Sequence, residues 1–173
     1  MKFFSDIRLL ILAIWLGAAV FFIAAAQSAF AVLPQRELAA AVVNRNLTIL
    51  NYGGLAIATL LILSSLVATS NTNKLWLLVE RFLLLVLGAA CAIGQFVIGI
   101  WLASVRAQIG RPIDEVAADD PLRIQFNMLH EYSQWVLFAG MIAALIAFFI
   151  IANRKFAKVE KVDIHDFSEE FKV

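Results

Sequence analysis

Four stretches without a formal charge constrain this chain more than anything else in it. No Asp, Glu, Lys or Arg falls within Leu9–Gln35, Asn46–Asn73, Phe82–Val105 or Tyr132–Asn153. A hydrocarbon core of about 30 Å is crossed by about 20 apolar residues at about 1.5 Å each, so every stretch is long enough to span. Lipid offers no partner for backbone N–H and C=O groups, and a helix satisfies them internally. The pattern predicts an all-α fold: an integral membrane four-helix bundle with spans at about 9–31, 48–69, 82–104 and 132–152. These form one transmembrane domain over 1–153, followed by a charged tail over 154–173.

With 62% of the residues hydrophobic and most of them committed to spans, nothing remains to build a separate soluble core. A net charge of +1 gives no electrostatic footprint for nucleic acid, and none is expected as a partner. The single cysteine, Cys91, lies inside the third span, where it acts as a small apolar filler without an internal disulfide. Ala29-Phe30-Ala31 resembles a signal-peptidase site after a basic start at Lys2 and Arg8. The apolar run before it is longer than a secretory signal and carries Trp15 and Gly17 at packing positions, so we read it as an uncleaved span.

Four spans put both termini on one side, together with Lys2, Arg8, Lys74, Arg81, Arg154, Lys155, Lys158, Lys161 and Lys172. The other side holds Arg36, Arg45, Arg106, Arg111 and Arg123, and no lysine. The positive-inside rule then predicts that the N- and C-termini are cytoplasmic. Trp76 anchors the inner boundary; Tyr52, Trp101, Tyr132 and Trp135 anchor the outer one.

Between the spans, Pro34 should end or kink the first helix. Leu38–Leu47 reads as an amphipathic link, and Ser70-Asn71-Thr72-Asn73 as a polar turn with N-cap chemistry. Gly110-Arg111-Pro112 should break the third helix, and Asp119-Asp120-Pro121 should open the last. Lys74 and Arg81 are expected to snorkel to the inner surface, leaving no charge deep in any span.

Packing between helices in lipid relies on small residues. Gly17, Gly54, Gly88, Gly99 and Gly140 are the expected packing positions. Ala13, Gly17, Ala24, Gln27 and Ala31 share one face of the first span. Asn51, Gly54, Ala58 and Ser65 share one of the second, and Gly88, Ala92, Gln95 and Gly99 one of the third. On the fourth, His130, Gln134, Met141 and Ala144 line up, with Ser133 beside them. The polar members fall at one level in the outer half, so Gln27, Asn51, Gln95, His130, Ser133 and Gln134 are the candidate ligand-binding residues. The same groups equally serve as glue between helices. His130 is the sharpest of them: with Met128 it offers one borderline and one soft metal ligand, and alone it is a possible pigment ligand. Positions two apart on a helix do not face each other, no Cys or His cluster supports a metal, and His165 lies on the opposite side. No cofactor is expected. No nucleophile has a plausible base, and no phosphate loop is present, which argues against an enzyme.

Trp15-Leu16-Gly17 with Phe21-Phe22, then Phe30, Leu33-Pro34 and Arg36-Glu37, joined to Phe126, Leu129-His130 and Ser133, form a pattern over all four spans. It resembles a bacterial member of the small four-span family related to eukaryotic transmembrane protein 205, and the resemblance implies the inner (plasma) membrane of a bacterium. That family has no established activity. The eukaryotic relative's association with platinum-drug resistance and membrane trafficking implies handling of soft metals or small molecules. The sequence departs from a metal exporter in lacking a Cys-x-x-Cys or a Met-rich run.

Two functions are compatible with these features. One is a non-enzymatic accessory or scaffold subunit that associates with other membrane proteins, or with itself, in the bilayer. The other is a small transporter or binding protein for a hydrophobic or soft-metal ligand, using the outer polar level.

Overall fold

A computed structural model describes residues 2–67 and 74–153. The Ser70–Asn73 turn and the tail over 154–173, with His165, lie outside the described residues. The chain forms α1 (Lys2–Val32), α2 (Arg36–Val67), α3 (Lys74–Ala92), a π-helical turn (Ile93–Ile98), α4 (Gly99–Ile109), a 3-10 turn (Ile113–Glu115) and α5 (Pro121–Ala152). Through the π turn, α3 and α4 make one continuous rod, so among the described residues four helices are long and apolar enough to cross a membrane. The described residues contain no strand. Each rod packs on two neighbours in a ring: α1 on α2, α2 on α3, α3 and α4 on α5, and α5 back on α1. One end of the bundle carries the start of α1 and the end of α5 (the terminus end). The other carries the α1–α2 and α4–α5 connections (the loop end).

Local sequence explains most helix boundaries. α1 stops at Val32 because Pro34 cannot continue it, and the Leu33 N–H closes the last turn on the Ala29 carbonyl at 3.0 Å. α4 ends at Gly110, whose φ of 63° needs a residue without a side chain. α5 opens as its sequence dictates: the Asp120 carboxylate accepts from the Leu122 N–H at 2.8 Å, and Pro121 takes the first turn, where its missing N–H is harmless. The Arg123 guanidinium donates to the Val116 carbonyl and folds the connection onto this helix start.

Two expectations change. Leu38–Leu47 is not a separate link but the first turns of α2, which runs unbroken for 32 residues, or about 48 Å. Nothing in Arg36–Leu50 stops a helix, and Asn44, Arg45 and Asn46 project from its exposed side. The rods also overrun the charge-free runs: α1 begins six residues before Arg8, and α3 begins six before Glu80. Both charges therefore sit nearly two turns inside their helices.

The core is a stack of Leu12, Trp15, Ala19, Leu50, Ala58, Leu61, Leu84, Leu87, Cys91, Ala144, Ala147 and Ile151. Along the α3–α4 rod, Leu77, Leu84, Cys91, Ile98 and Val105 are all buried, a seven-residue repeat that keeps one seam facing inward. Small residues set the approach of the helices. A Cβ on Gly88 would lie 3.4 Å from Ala58 Cβ, and one on Gly140 would lie 3.2 Å from Ala90 Cβ. Gly54 is tighter still, since a Cβ there would lie 2.5 Å from Cys91 Sγ and 2.7 Å from Trp15 Nε1.

α1 turns the other way from its expected packing face. Ala13, Gly17, Ala24, Gln27 and Ala31 are exposed, and Ser5, Arg8, Leu12, Trp15 and Ala19 are buried. Lipid is as apolar as leucine, so apolar faces are nearly indifferent to rotation. The choice falls to groups that must find partners: Arg8, and the Trp15 indole N–H, which donates to the Leu50 carbonyl at 3.1 Å. The inward face of α5 is likewise Leu129, Gly140, Ala143, Ala144 and Ala147, which leaves His130 and Gln134 outside.

Candidate functional site

The bundle holds polar groups at two levels, and the better-built one lies toward the terminus end. Arg8 Nη2 donates to Glu80 Oε1 at 2.5 Å and to the Leu61 carbonyl at 2.9 Å. Both side chains are removed from the surface, Arg8 to 7% exposure and Glu80 to 0%. On the next residue of α3, Arg81 donates from Nε to Ser65 Oγ at 2.9 Å and from Nη2 to the Ser65 carbonyl at 2.8 Å. Ser65 Oγ in turn donates to the Ile62 carbonyl at 2.7 Å. Three helices are thus joined by a charge pair and by backbone carbonyls of α2. Among the described residues, Arg8 Nε and Nη1 make no hydrogen bond.

This cluster places a charge pair inside the bundle just beyond the ends of the first and third charge-free runs. Arg81 does not snorkel freely, because its guanidinium is held by Ser65. Bounding each span at the first charge hid both features. A signal was present nonetheless: Ser5, Arg8, Leu12, Trp15 and Ala19 recur at helical spacing, as do Leu77, Glu80, Leu84, Leu87 and Cys91. Each charge lies in register with the buried stripe of its helix.

The second level is near mid-bundle and contains Asn51 and Ser133. They share a pocket with Trp15, Ala90, Cys91, Gly94 and Gly140. Its volume of about 10 Å³ admits about one water molecule and nothing larger. A Cβ on Gly94 would lie 3.3 Å from Asn51 Nδ2, so the glycine gives the buried amide its place against the rod. Ser133 Oγ donates back to the His130 carbonyl at 2.7 Å.

The other candidate residues are not brought into this pocket. Gln27, His130 and Gln134 lie on the outer surface, and Gln95 is half-buried in the π turn. His130 Nε2 and Gln134 Nε2 approach to 3.1 Å along α5. Met128 is exposed, and among the described residues no group of three or more His, Cys, Asp or Glu is placed to hold a metal ion. Of the packing glycines, Gly54, Gly88 and Gly140 sit where helices meet. A Cβ on Gly17 would meet nothing within 4 Å. Gly99 closes the π turn, its N–H donating to the Gly94 carbonyl five residues back.

Outside the bundle, α1 and α5 leave between them a groove of about 700 Å³ lined by Leu16, Gly17, Val20, Phe21, Ala24, Phe138, Met141, Ile142 and Leu145. At the loop end two surface ion pairs cross between connections: Arg36 to Asp114 at 3.0 Å and Arg106 to Glu37 at 3.1 Å.

No curated protein and no solved structure matches this sequence. A family model does: the one described as a domain of unknown function, DUF4149, matches residues 10–111. That segment carries most of α1, all of α2, the whole α3–α4 rod with its π turn, and both Glu80 and Asn51. With well over half of its length covered, the chain belongs to the DUF4149 family.

Proposed function

We propose that this four-helix membrane protein works without catalysis, as an accessory or scaffold subunit that associates with other membrane proteins or with itself. The observation that supports this reading is the closed interior. The central pocket has room for about one water, and toward the terminus end the Arg8 side chain ties α1 to both α2 and α3. A carrier needs an interior that receives its cargo, and four of the six candidate ligand residues lie outside this one.

On this reading the protein lies in a bacterial inner membrane with both termini in the cytoplasm, and the lysine bias toward the terminus end supports that orientation. Exposed Trp76 near that end and exposed Trp101 toward the other suit two headgroup levels. In this role the chain requires no cofactor and contacts no nucleic acid.

The alternative, a small transporter or binding protein for a hydrophobic or soft-metal ligand, rests on Asn51 and Ser133 facing one pocket, with His130 on the turn before Ser133. The two are separated by gentle extraction from native membranes followed by native mass spectrometry, together with growth of a His130→Ala strain under metal and drug challenge. A defined larger assembly, with His130→Ala indistinguishable from wild type, is the expected result. A lone chain carrying a stoichiometric metal or small molecule, lost in His130→Ala, would overturn the scaffold reading.

A further inference from the structure

In the ring of helices α1 and α3 stand across from each other, and the Arg8–Glu80 pair joins them directly. α2 and α5 form the other diagonal. Among the described residues no hydrogen bond or ion pair links α2 to α5. What they share is the central pocket, which α2 lines with Leu47 and Asn51, and α5 with Ser133, Val136, Leu137 and Gly140.

Asn51 behaves unlike the hydroxyls of its own helix. Thr48, Thr59, Ser64 and Ser65 each donate to a carbonyl three or four residues back, the usual recourse of a polar side chain on a helix in lipid. Asn51 is 6% exposed, yet among the described residues its side-chain amide makes no hydrogen bond. Burying an amide among apolar side chains without a partner is costly, because its donors and its acceptor have all left water. The amide lines the pocket, with Gly94 of the π turn leaving the space beside Nδ2.

Ser133 meets it from the other side. Its hydroxyl proton is committed to the His130 carbonyl, so toward the pocket Oγ can only accept. The pocket therefore combines a donor and an acceptor from Asn51 with an acceptor from Ser133, in about 10 Å³. An apolar guest would satisfy none of them. A bare cation would find too few oxygens and no carboxylate, and an anion would find an acceptor on either side of the amide donor. Water both gives and takes, needs two to four polar partners, and is of the right size.

We infer that the central pocket is a binding site for a structural water molecule. The water accepts from Asn51 Nδ2 and donates to Ser133 Oγ, and it closes the second diagonal of the ring as the charge pair closes the first. The inference does not depend on the scaffold reading, and purified full-length protein suffices to test it.

Isotopically labelled protein is reconstituted in lipid vesicles, and transfer of magnetisation from water protons is followed by solid-state NMR. The Asn51 Nδ2 signal should take up water magnetisation, while the backbone N–H groups of Ala58 and Ala144 in the apolar core should not. Ser133→Ala removes the acceptor on α5 and should weaken the transfer severalfold; Ser133→Thr keeps the hydroxyl and should preserve it. In denaturant titration the losses from Asn51→Ala and Ser133→Ala should not add, the double variant falling no further than the worse single one. A dry Asn51 signal in wild type, undiminished transfer in Ser133→Ala, or additive losses would each overturn the assignment. The wild-type spectrum decides the matter even where a variant does not fold.

Discussion

At the terminus end an arginine and a glutamate meet out of reach of solvent; at the loop end two arginines meet carboxylates on the surface. The chemistry is the same and the distances are similar, 2.5 Å inside against 3.0 and 3.1 Å outside. Burial makes the difference. The loop-end side chains are 44–73% exposed, so water and salt screen them and their loss leaves solvated groups. Removing either partner of the inner pair strands a charge among Leu12, Leu61 and Leu84. One end is fixed in register by electrostatics, and the other is tied loosely enough for its connections to vary.

The sharpest way to break this comparison is Glu80→Ala, which leaves Arg8 buried without its carboxylate. It should cost about 3–5 kcal/mol, read as a lowered midpoint in denaturant titration of the detergent-solubilised protein. Replacing both partners together, Arg8→Met with Glu80→Leu, should recover most of that loss, because the pair then gives way to apolar packing. A double variant as unstable as the single one would mean that the pair is not the source of the effect. Between the two ends, Gly54→Ala tests packing alone: its Cβ collides with Cys91 and Trp15 side chains, and about 1–3 kcal/mol should be lost. The smallest effect belongs to the loop end. Arg36→Ala should change stability by less than about 1 kcal/mol, and raising the salt concentration should remove even that. An Arg36→Ala loss matching that of Glu80→Ala would erase the distinction between the ends.

What the sequence made legible follows from which physics acts at each point. The four spans rest on hydrophobicity and length, and those decide whether a segment enters lipid, so the rods were readable. Pro34, Gly110 and Asp120-Pro121 act through their own backbone chemistry and marked helix ends correctly. The rotation of α1 was not readable, because small residues were taken to face inward although lipid tolerates either face. Arg8 and Glu80 had decided the matter, 72 positions apart in sequence, and neither stands out as a partner of the other before the fold is known. The π turn at Ile93–Ile98 was equally hidden; Gly99 reads there as a packing glycine. Of the candidate ligand residues, only Asn51 and Ser133 converge, because the phase of α5 is set by Gly140, Ala143, Ala144 and Ala147 rather than by His130.

The Arg8–Glu80 pair also imposes a schedule on biogenesis. Glu80 is made 72 residues after Arg8, and at about 5–20 residues per second the ribosome needs about 4–14 seconds to cover that gap. During that interval the first helix carries an arginine whose partner does not yet exist. It must wait with Arg8 at the aqueous boundary or beside the insertion machinery, and it can settle only when the third helix arrives. Insertion of the first and third helices is therefore coupled, and a chain truncated before Glu80 should leave its first helix shallow in the bilayer.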